Sequence, residues 1–186
     1  MIYICSFKRG QVWPVRPDNV ELLNVTTCQR KNSIKRILSP FYLQDYKGYP
    51  CFENFYQSLK FFEGMTEEQF IERKNLWKTY KPKKTDKWSK KKCLYTIYEG
   101  KKRNYIETRK EIYYPLYRDL IKDLDILKKY KNKDVIILDY DGPKNMNGCL
   151  CLKFNNKLFE DKINDPSYPF GHGYVVASVL NNLNNL

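Results

Sequence analysis

The sequence predicts an α+β fold: a mostly helical single domain with a small N-terminal and central β-sheet. Three observations predict it. Short β-branched and aromatic runs are bounded by proline or by Asp-Gly turns. Two N-cap signatures are each followed by apolar residues at helical spacing. The 186 residues are 42% hydrophobic and 16% aromatic, which is a globular composition long enough to bury a core. Residues 1–35 read as N-terminal strands packed on a domain formed by residues 36–186, the whole making one compact unit.

The elements follow in order. Residues 2–5, 12–15 and 22–26 are candidate strands, broken by Pro14 and Pro17. Pro50 prevents a helix from starting before about Cys51, so the next helix spans about residues 51–63 and ends at Gly64. Thr66 and Gln69 have capping-box spacing and open a helix to about residue 80, with Phe70, Ile71, Leu76 and Trp77 facing inward. Residues 78–92 hold eight lysines and read as a loop or a ragged helix start. A long helix begins near Asn104, with Glu107 three residues on. Ile112, Leu116, Leu120, Leu124 and Leu127 recur along it, and Pro115 kinks or splits it. Residues 135–138 are a buried strand that runs into the turn Asp139-Tyr140-Asp141-Gly142-Pro143. Residues 149–154 are another strand, and residues 174–183 a final helix opened by Gly171-His172-Gly173.

Several classes of protein are excluded. No apolar run reaches the ~20 residues of a membrane span. The opening MIYICSFKRG lacks the apolar stretch of a secretory leader, so a cytoplasmic setting is expected. The six cysteines are read as reduced thiols. Cys149-x-Cys151 is not a CxxC pair and the only histidine, His172, lies well away along the chain, so neither metal nor cofactor is expected. There is no P-loop, no GxGxxG and no Ser-His-Asp order, and nothing points to kinase or dehydrogenase chemistry.

The formal charge of +13 attracts phosphates, although most of the basic residues are lysines, which suit planar bidentate recognition less well than arginines do. Lys83, Lys84, Lys87, Lys90 and Lys91, with Trp88 as a stacking ring, form a candidate nucleic-acid patch; the other reading is a solvated loop.

The chemistry concentrates between residues 38 and 60. On one helix, Glu53 and Lys60 are seven residues apart and so share a face. Gln57 lies between them, Lys47 precedes the helix, and Phe41 and Tyr42 occupy a turn before it. Asp139 and Asp141 close a buried strand, where ligand sites often lie. The Gly171-His172-Gly173 turn offers free N–H groups at a helix start, which suit a phosphate. Carboxylates beside a ribose suit glycosidic chemistry, and a lysine desolvated among aromatics suits attack on a sugar aldehyde.

The spacing Ser39-Pro-Phe-Tyr, then Lys47-x-Tyr49-Pro50-x-x-Glu53-x-x-x-Gln57-x-x-Lys60, resembles the signature of the NADAR family of YbiA-like N-glycosidases. Tyr105-x-x-x-Arg109-x-x-Ile112-Tyr113 and Phe170-Gly171-His172-Gly173 resemble two later motifs of that family, and the chain looks closest to a divergent viral and phage branch. Pro40, Asn54 and Phe170 stand where the family carries Asn, His and Trp.

The resemblance implies a NADAR-like fold that recognises ADP-ribose, an ADP-ribosylated nucleic acid or a ribosyl phosphate, and that cleaves an N-glycosidic bond. An example is the removal of ADP-ribose from a guanine base. It implies that Glu53 positions the ribose or moves a proton, that Lys47 or Lys60 supplies the amine, and that Tyr105, Arg109 and the Gly171–Gly173 turn contact the ligand. It places the protein in a host cytoplasm or a virion. The alternative is a basic nucleic-acid-binding or virion-associated structural protein with a degenerate pocket.

Overall fold

The computed structural model describes residues 1–7, 14–26, 33–79 and 86–185. In chain order the elements are β1 (Ile2–Ser6), β2 (Glu21–Asn24), a 3-10 turn (Ile34–Leu38), α1 (Phe52–Ser58), β3 (Lys60–Phe62), α2 (Glu67–Thr79), β4 (Cys93–Tyr98), β5 (Lys101–Arg103), α3 (Tyr105–Thr108), a π-helical segment (Arg109–Tyr113), α4 (Tyr114–Ile121), α5 (Asp125–Lys128), β6 (Val135–Asp139), β7 (Lys144–Asn145), β8 (Gly148–Cys149), β9 (Cys151–Lys153), α6 (Asn156–Ile163) and α7 (His172–Asn184). The fold is α+β with mixed sheets. The chain divides into two compact units, one of Met1–Ser39 with Tyr114–Leu186 and one of Pro40–Tyr113.

The first unit is built on a four-stranded sheet in the order β2-β6-β1-β9. β6 runs parallel to both of its neighbours, from Ile2↔Val135 to Ser6↔Asp139 on one side and from Glu21↔Val135 on the other. Its five residues are all buried, as a strand flanked on both edges and covered on its faces requires. β9 joins β1 antiparallel. α7 packs on β1 and β6, and every residue from His172 to Leu180 is buried, so this part of the helix is covered around its circumference. The other sheet face carries Cys5, Ile136 and Leu138 with half-buried Tyr3, Phe7 and Leu22.

The second unit holds the antiparallel sheet β3-β4-β5. Phe61, Phe62, Met65 and Phe70 form a core, and the Tyr95 ring stacks on Phe61 at 4.9 Å. A second aromatic group has Tyr46 edge-on to Phe52 and Phe55, both at 5.1 Å. Edge-to-face pairs of this kind favour the ring quadrupoles. Both N-cap signatures form. Thr66 and Gln69 exchange backbone-to-side-chain bonds, and Asn104 and Glu107 do the same.

Several expectations are corrected. The helix carrying Glu53 ends at Ser58 rather than near residue 63, because Lys60-Phe61-Phe62 pairs with β4 as a strand. Gly64, with φ of 75°, turns the chain after that strand. On α2 the buried stripe is Phe70, Arg73 and Trp77, whereas Ile71 and Leu76 are exposed. The helix expected from Asn104 is divided: a π-helical segment precedes Pro115, whose missing N–H and ring oppose an ordinary α-turn there. Pro14 and Val15 form no strand, and residues 12 and 13 lie outside the described residues.

Asp86 organises the second unit's lysine-rich stretch. Its Oδ2 accepts from Arg73 Nε at 2.6 Å and Trp77 Nε1 at 2.8 Å, and its Oδ1 accepts from the N–H groups of Trp88 and Ser89. Arg73 Nη1 also donates to the Gln57 carbonyl. Burial alone would push the Asp86 carboxyl up, but the Trp77 bond and the Arg73 charge outweigh it and hold the carboxyl below its ordinary range.

Asp86→Ala leaves the buried Arg73 guanidinium uncompensated and is expected to cost about 3–5 kcal/mol in urea unfolding. A group whose folded pKa is depressed contributes its stability above its unfolded value. The gap in unfolding free energy between wild type and Asp86→Asn is therefore expected to be full at neutral pH, and to shrink as pH falls below about 4 toward the lower folded value.

Candidate functional site

The candidate residues fall into two clusters, one in each unit. In the second unit, Pro50 and the extended Cys51 N-cap start α1. The Glu53 N–H donates to the Pro40 carbonyl at 2.8 Å, which seats the first turn. The Glu53 side chain is buried, and its Oε1 accepts from Gln57 Nε2 at 2.6 Å, an i,i+4 pair on one helix face. Lys60 is not on that face, because it opens β3. The fold still brings Lys60 under the influence of Glu53, whose charge acts on its amine.

Lys60 lies in a row across the sheet. It is registered with Thr96 of β4, and Thr96 with Arg103 of β5. Thr96 and Thr108 share a hydroxyl–hydroxyl bond of 2.6 Å that fixes α3 to β4. Lys60, Thr96 and Arg103, with Tyr56, Tyr95 and Tyr105, border a cavity of about 130 Å³. Lys60 Nζ stands 4.9 Å from the Tyr56 ring centre. Burial pushes the Lys60 amine below the ordinary lysine range, with Glu53 opposing, and burial pushes the Tyr56 phenol up, reinforced by Glu53.

Arg109 is buried beneath this cluster. It donates to the Tyr105 hydroxyl at 2.7 Å and lies 4.1 Å from that ring's centre. Lys47 occupies a tight turn with Gly48, both at positive φ (53° and 77°). It is exposed, and its amine donates to the Tyr98 hydroxyl at 2.7 Å. Glu53, Arg109, Lys47, Phe41, Tyr42 and Gln57 do not border the cavity, which Glu53 reaches only through its charge on Lys60; Phe41 and Tyr42 are half-buried in the preceding turn.

The first unit holds Asp139, Asp141 and the Gly-His-Gly turn. Asp139 ends β6 and is buried. Its Oδ2 accepts from the Gly173 N–H at 2.7 Å and lies 3.5 Å from His172 Nδ1. His172 Nε2 donates to the Val25 carbonyl. A Cβ on Gly173 would stand 2.7 Å from Asp139 Cβ, and one on Gly171 would meet the Asp139 carboxylate and stand 2.8 Å from Asp141 Cβ. The glycines are therefore needed for this close approach. The Gly173 N–H expected to greet a phosphate already holds a carboxylate, which would repel one. Asp141 is exposed.

Lys83 and Lys84 lie outside the described residues. Lys87, Lys90 and Lys91 are exposed, but Trp88 is half-buried against the Phe61–Phe70 core, with Lys87 Nζ 5.4 Å from its ring centre. Among the described residues no group of three or more His, Cys, Asp or Glu is placed to hold a metal, and no helix is long and apolar enough to cross a membrane.

Sequence reasoning missed the β4–β5 hairpin, which supplies Tyr95, Thr96 and Arg103 to the cavity. Its signal was present: the strand-like Tyr95-Thr96-Ile97-Tyr98 runs into Glu99-Gly100, both at positive φ (50° and 72°), as a two-residue hairpin turn requires.

Gly173→Ala is expected to lower the unfolding free energy by about 1–3 kcal/mol through overpacking against Asp139. Urea denaturation of the variant against wild type checks the loss.

Compared with family models, with curated proteins and with solved structures, the chain matches none.

Proposed function

We propose that the chain is a NADAR-like N-glycosidase that takes an ADP-ribose-like or ribosyl-phosphate compound into the cavity of the second unit and breaks its N-glycosidic bond. The observation that carries this reading is Lys60. It is a half-buried amine, depressed by burial, at a cavity edged by Tyr56, Tyr95 and Tyr105 and under the field of the buried Glu53. A lysine that gives up its proton more readily is a nucleophile nearer to neutral pH. The neutral Lys60 amine attacks the anomeric carbon as the bond to the base breaks and the departing base takes up a proton; water then hydrolyses the glycosyl-lysine bond and returns the free amine, with Glu53, anchored by Gln57, assigned the proton transfers.

Lys47 is the weaker amine candidate, since it is exposed and bound to Tyr98. Arg103 is the guanidinium bordering the cavity and the candidate phosphate partner. Arg109 is assigned the positioning of Tyr105. At about 130 Å³ the cavity is well below the ~300 Å³ at which pockets for drug-sized ligands begin, so it admits one ring and leaves the rest of the ligand outside.

Calorimetric titration tests the binding step. ADP-ribose or ribose 5-phosphate is expected to bind wild type in the micromolar range, with Glu53→Ala and Lys60→Met each losing about tenfold or more, roughly 1.4 kcal/mol. Absence of binding, together with salt-sensitive binding to DNA or RNA, would replace this reading with that of a basic nucleic-acid binder.

The chemical step has its own signature. Base release is expected to rise with pH as Lys60 loses its proton, on a limb lying below the 10.5 of an ordinary lysine. A pH–rate profile in which Lys60→Met retains that limb would remove Lys60 from the reaction.

A further inference from the structure

Two thiols of the first unit stand face to face, and the proposed glycosidic chemistry uses neither. Cys5 of β1 and Cys151 of β9 are directly opposed in an antiparallel pairing. The Phe154 N–H donates to the Ile2 carbonyl at 2.8 Å, and the Ser6 N–H to the Leu150 carbonyl at 2.9 Å. These bonds make the even-numbered residues of β1 the hydrogen-bonded positions. Cys5 and Cys151 therefore form a non-hydrogen-bonded pair, whose Cα atoms lie about 4.5 Å apart with side chains on one face. A disulfide spans Cα separations of about 4.4–6.8 Å.

The Cys5 thiol donates to the Ser6 carbonyl at 3.6 Å, and the Cys151 thiol and the Arg16 guanidinium lie close enough to act on it. The neighbouring Cys151 thiol and burial hold Cys5 above the ordinary thiol range, whereas the neighbouring Cys5 thiol, aided by Arg16 against burial, holds Cys151 below it. Cys5 has no exposed surface, whereas Cys151 is half-buried and so is the thiol that a reagent reaches first.

We propose that Cys5 and Cys151 are a redox-responsive pair, converted to a cross-strand disulfide by a small-molecule disulfide of the glutathione type. The Cys151 thiolate, its proton released, attacks one sulfur of the reagent; the reagent's S–S bond breaks and one thiolate leaves. Cys5 then loses its proton and attacks the Cys151 sulfur, which expels the second thiolate and forms the Cys5–Cys151 bond. The two expelled thiolates take up the two protons. Two protein thiols have lost two electrons, and one small disulfide has become two thiols. The bond ties the edge strand β9 to the central strand β1, and in a reducing compartment it reopens by the same exchange.

The test equilibrates the full chain in buffers of varied ratio of reduced to oxidised glutathione, quenches with acid, alkylates the remaining thiols and maps the peptides by mass spectrometry. The expected result is joint loss of the Cys5 and Cys151 thiols in a single cross-linked peptide pair, kept in Cys149→Ser and reversed by dithiothreitol. The urea midpoint is expected to rise on oxidation of wild type and of Cys149→Ser. A bond from either residue to any other cysteine, a stable mixed disulfide on Cys151 alone, or retention of both thiols in oxidised glutathione would overturn the proposal.

Discussion

The buried carboxylate of Asp139 is the contact on which the first unit turns. Strand β6 lies between two parallel neighbours, and parallel pairing gives it no hairpin to fix its position. Its register is held by what happens at its end. Asp139 accepts the Gly173 N–H at the start of α7, where the helix dipole favours a negative charge. His172 continues the connection to the Val25 carbonyl, just beyond β2. One carboxylate thus fixes the end of β6 to α7 and, through a histidine, to the strand on its far edge. The nine buried residues at the start of α7 can then pack on β1 and β6 with the Gly173 N–H satisfied at the helix start.

The second unit solves a different problem, that of a basic chain folding around cations. Cationic side chains are drawn against aromatic rings, among them Lys60 at 4.9 Å from Tyr56, Arg73 at 5.0 Å from Phe62 and 5.2 Å from Trp77, and Arg109 at 4.1 Å from Tyr105. Ring faces recover part of the hydration that a buried cation loses. These three also have polar complements. Asp86 pairs with Arg73, the Tyr105 hydroxyl accepts from Arg109, and the Glu53 charge acts on Lys60. The two departures of composition in this sequence, excess positive charge and abundant Tyr and Phe, are therefore coupled in the packing.

Local signals in the sequence were legible where they stood alone. The Thr66 and Asn104 caps, the buried strand before Asp139, the strand at residues 2–5 and the final helix all form. Errors arose where pairing overrode helical spacing. Glu53 and Lys60 have the separation of a shared helix face, but Lys60-Phe61-Phe62 gains more by joining β4, where Phe61 meets Tyr95, than by extending α1. On α2, Ile71 and Leu76 yielded the inner face to Arg73, because Asp86 supplied a partner for a charge, and that partner lies in a stretch that reads from composition as solvated loop. The β4–β5 hairpin was hidden by the lysines around it, and it is the element that completes the cavity.

The two clusters of candidate residues carry opposite lessons. Asp139, His172 and the flanking glycines have the look of chemistry, with a carboxylate at a strand end and a histidine between glycines at a helix start. In the fold they complete one another: the carboxylate serves the helix, the histidine joins it to a backbone carbonyl, and the glycines exist because the carboxylate lies against them. Glu53 and Lys60 differ in kind. Packing alone gives no reason to lower a lysine's proton affinity at the edge of a cavity, since an arginine or a solvated lysine would satisfy Glu53 at less cost in hydration. An amine held short of full solvation beside open space is the feature on which the proposed reading of the second unit rests, rather than the count of suggestive residues.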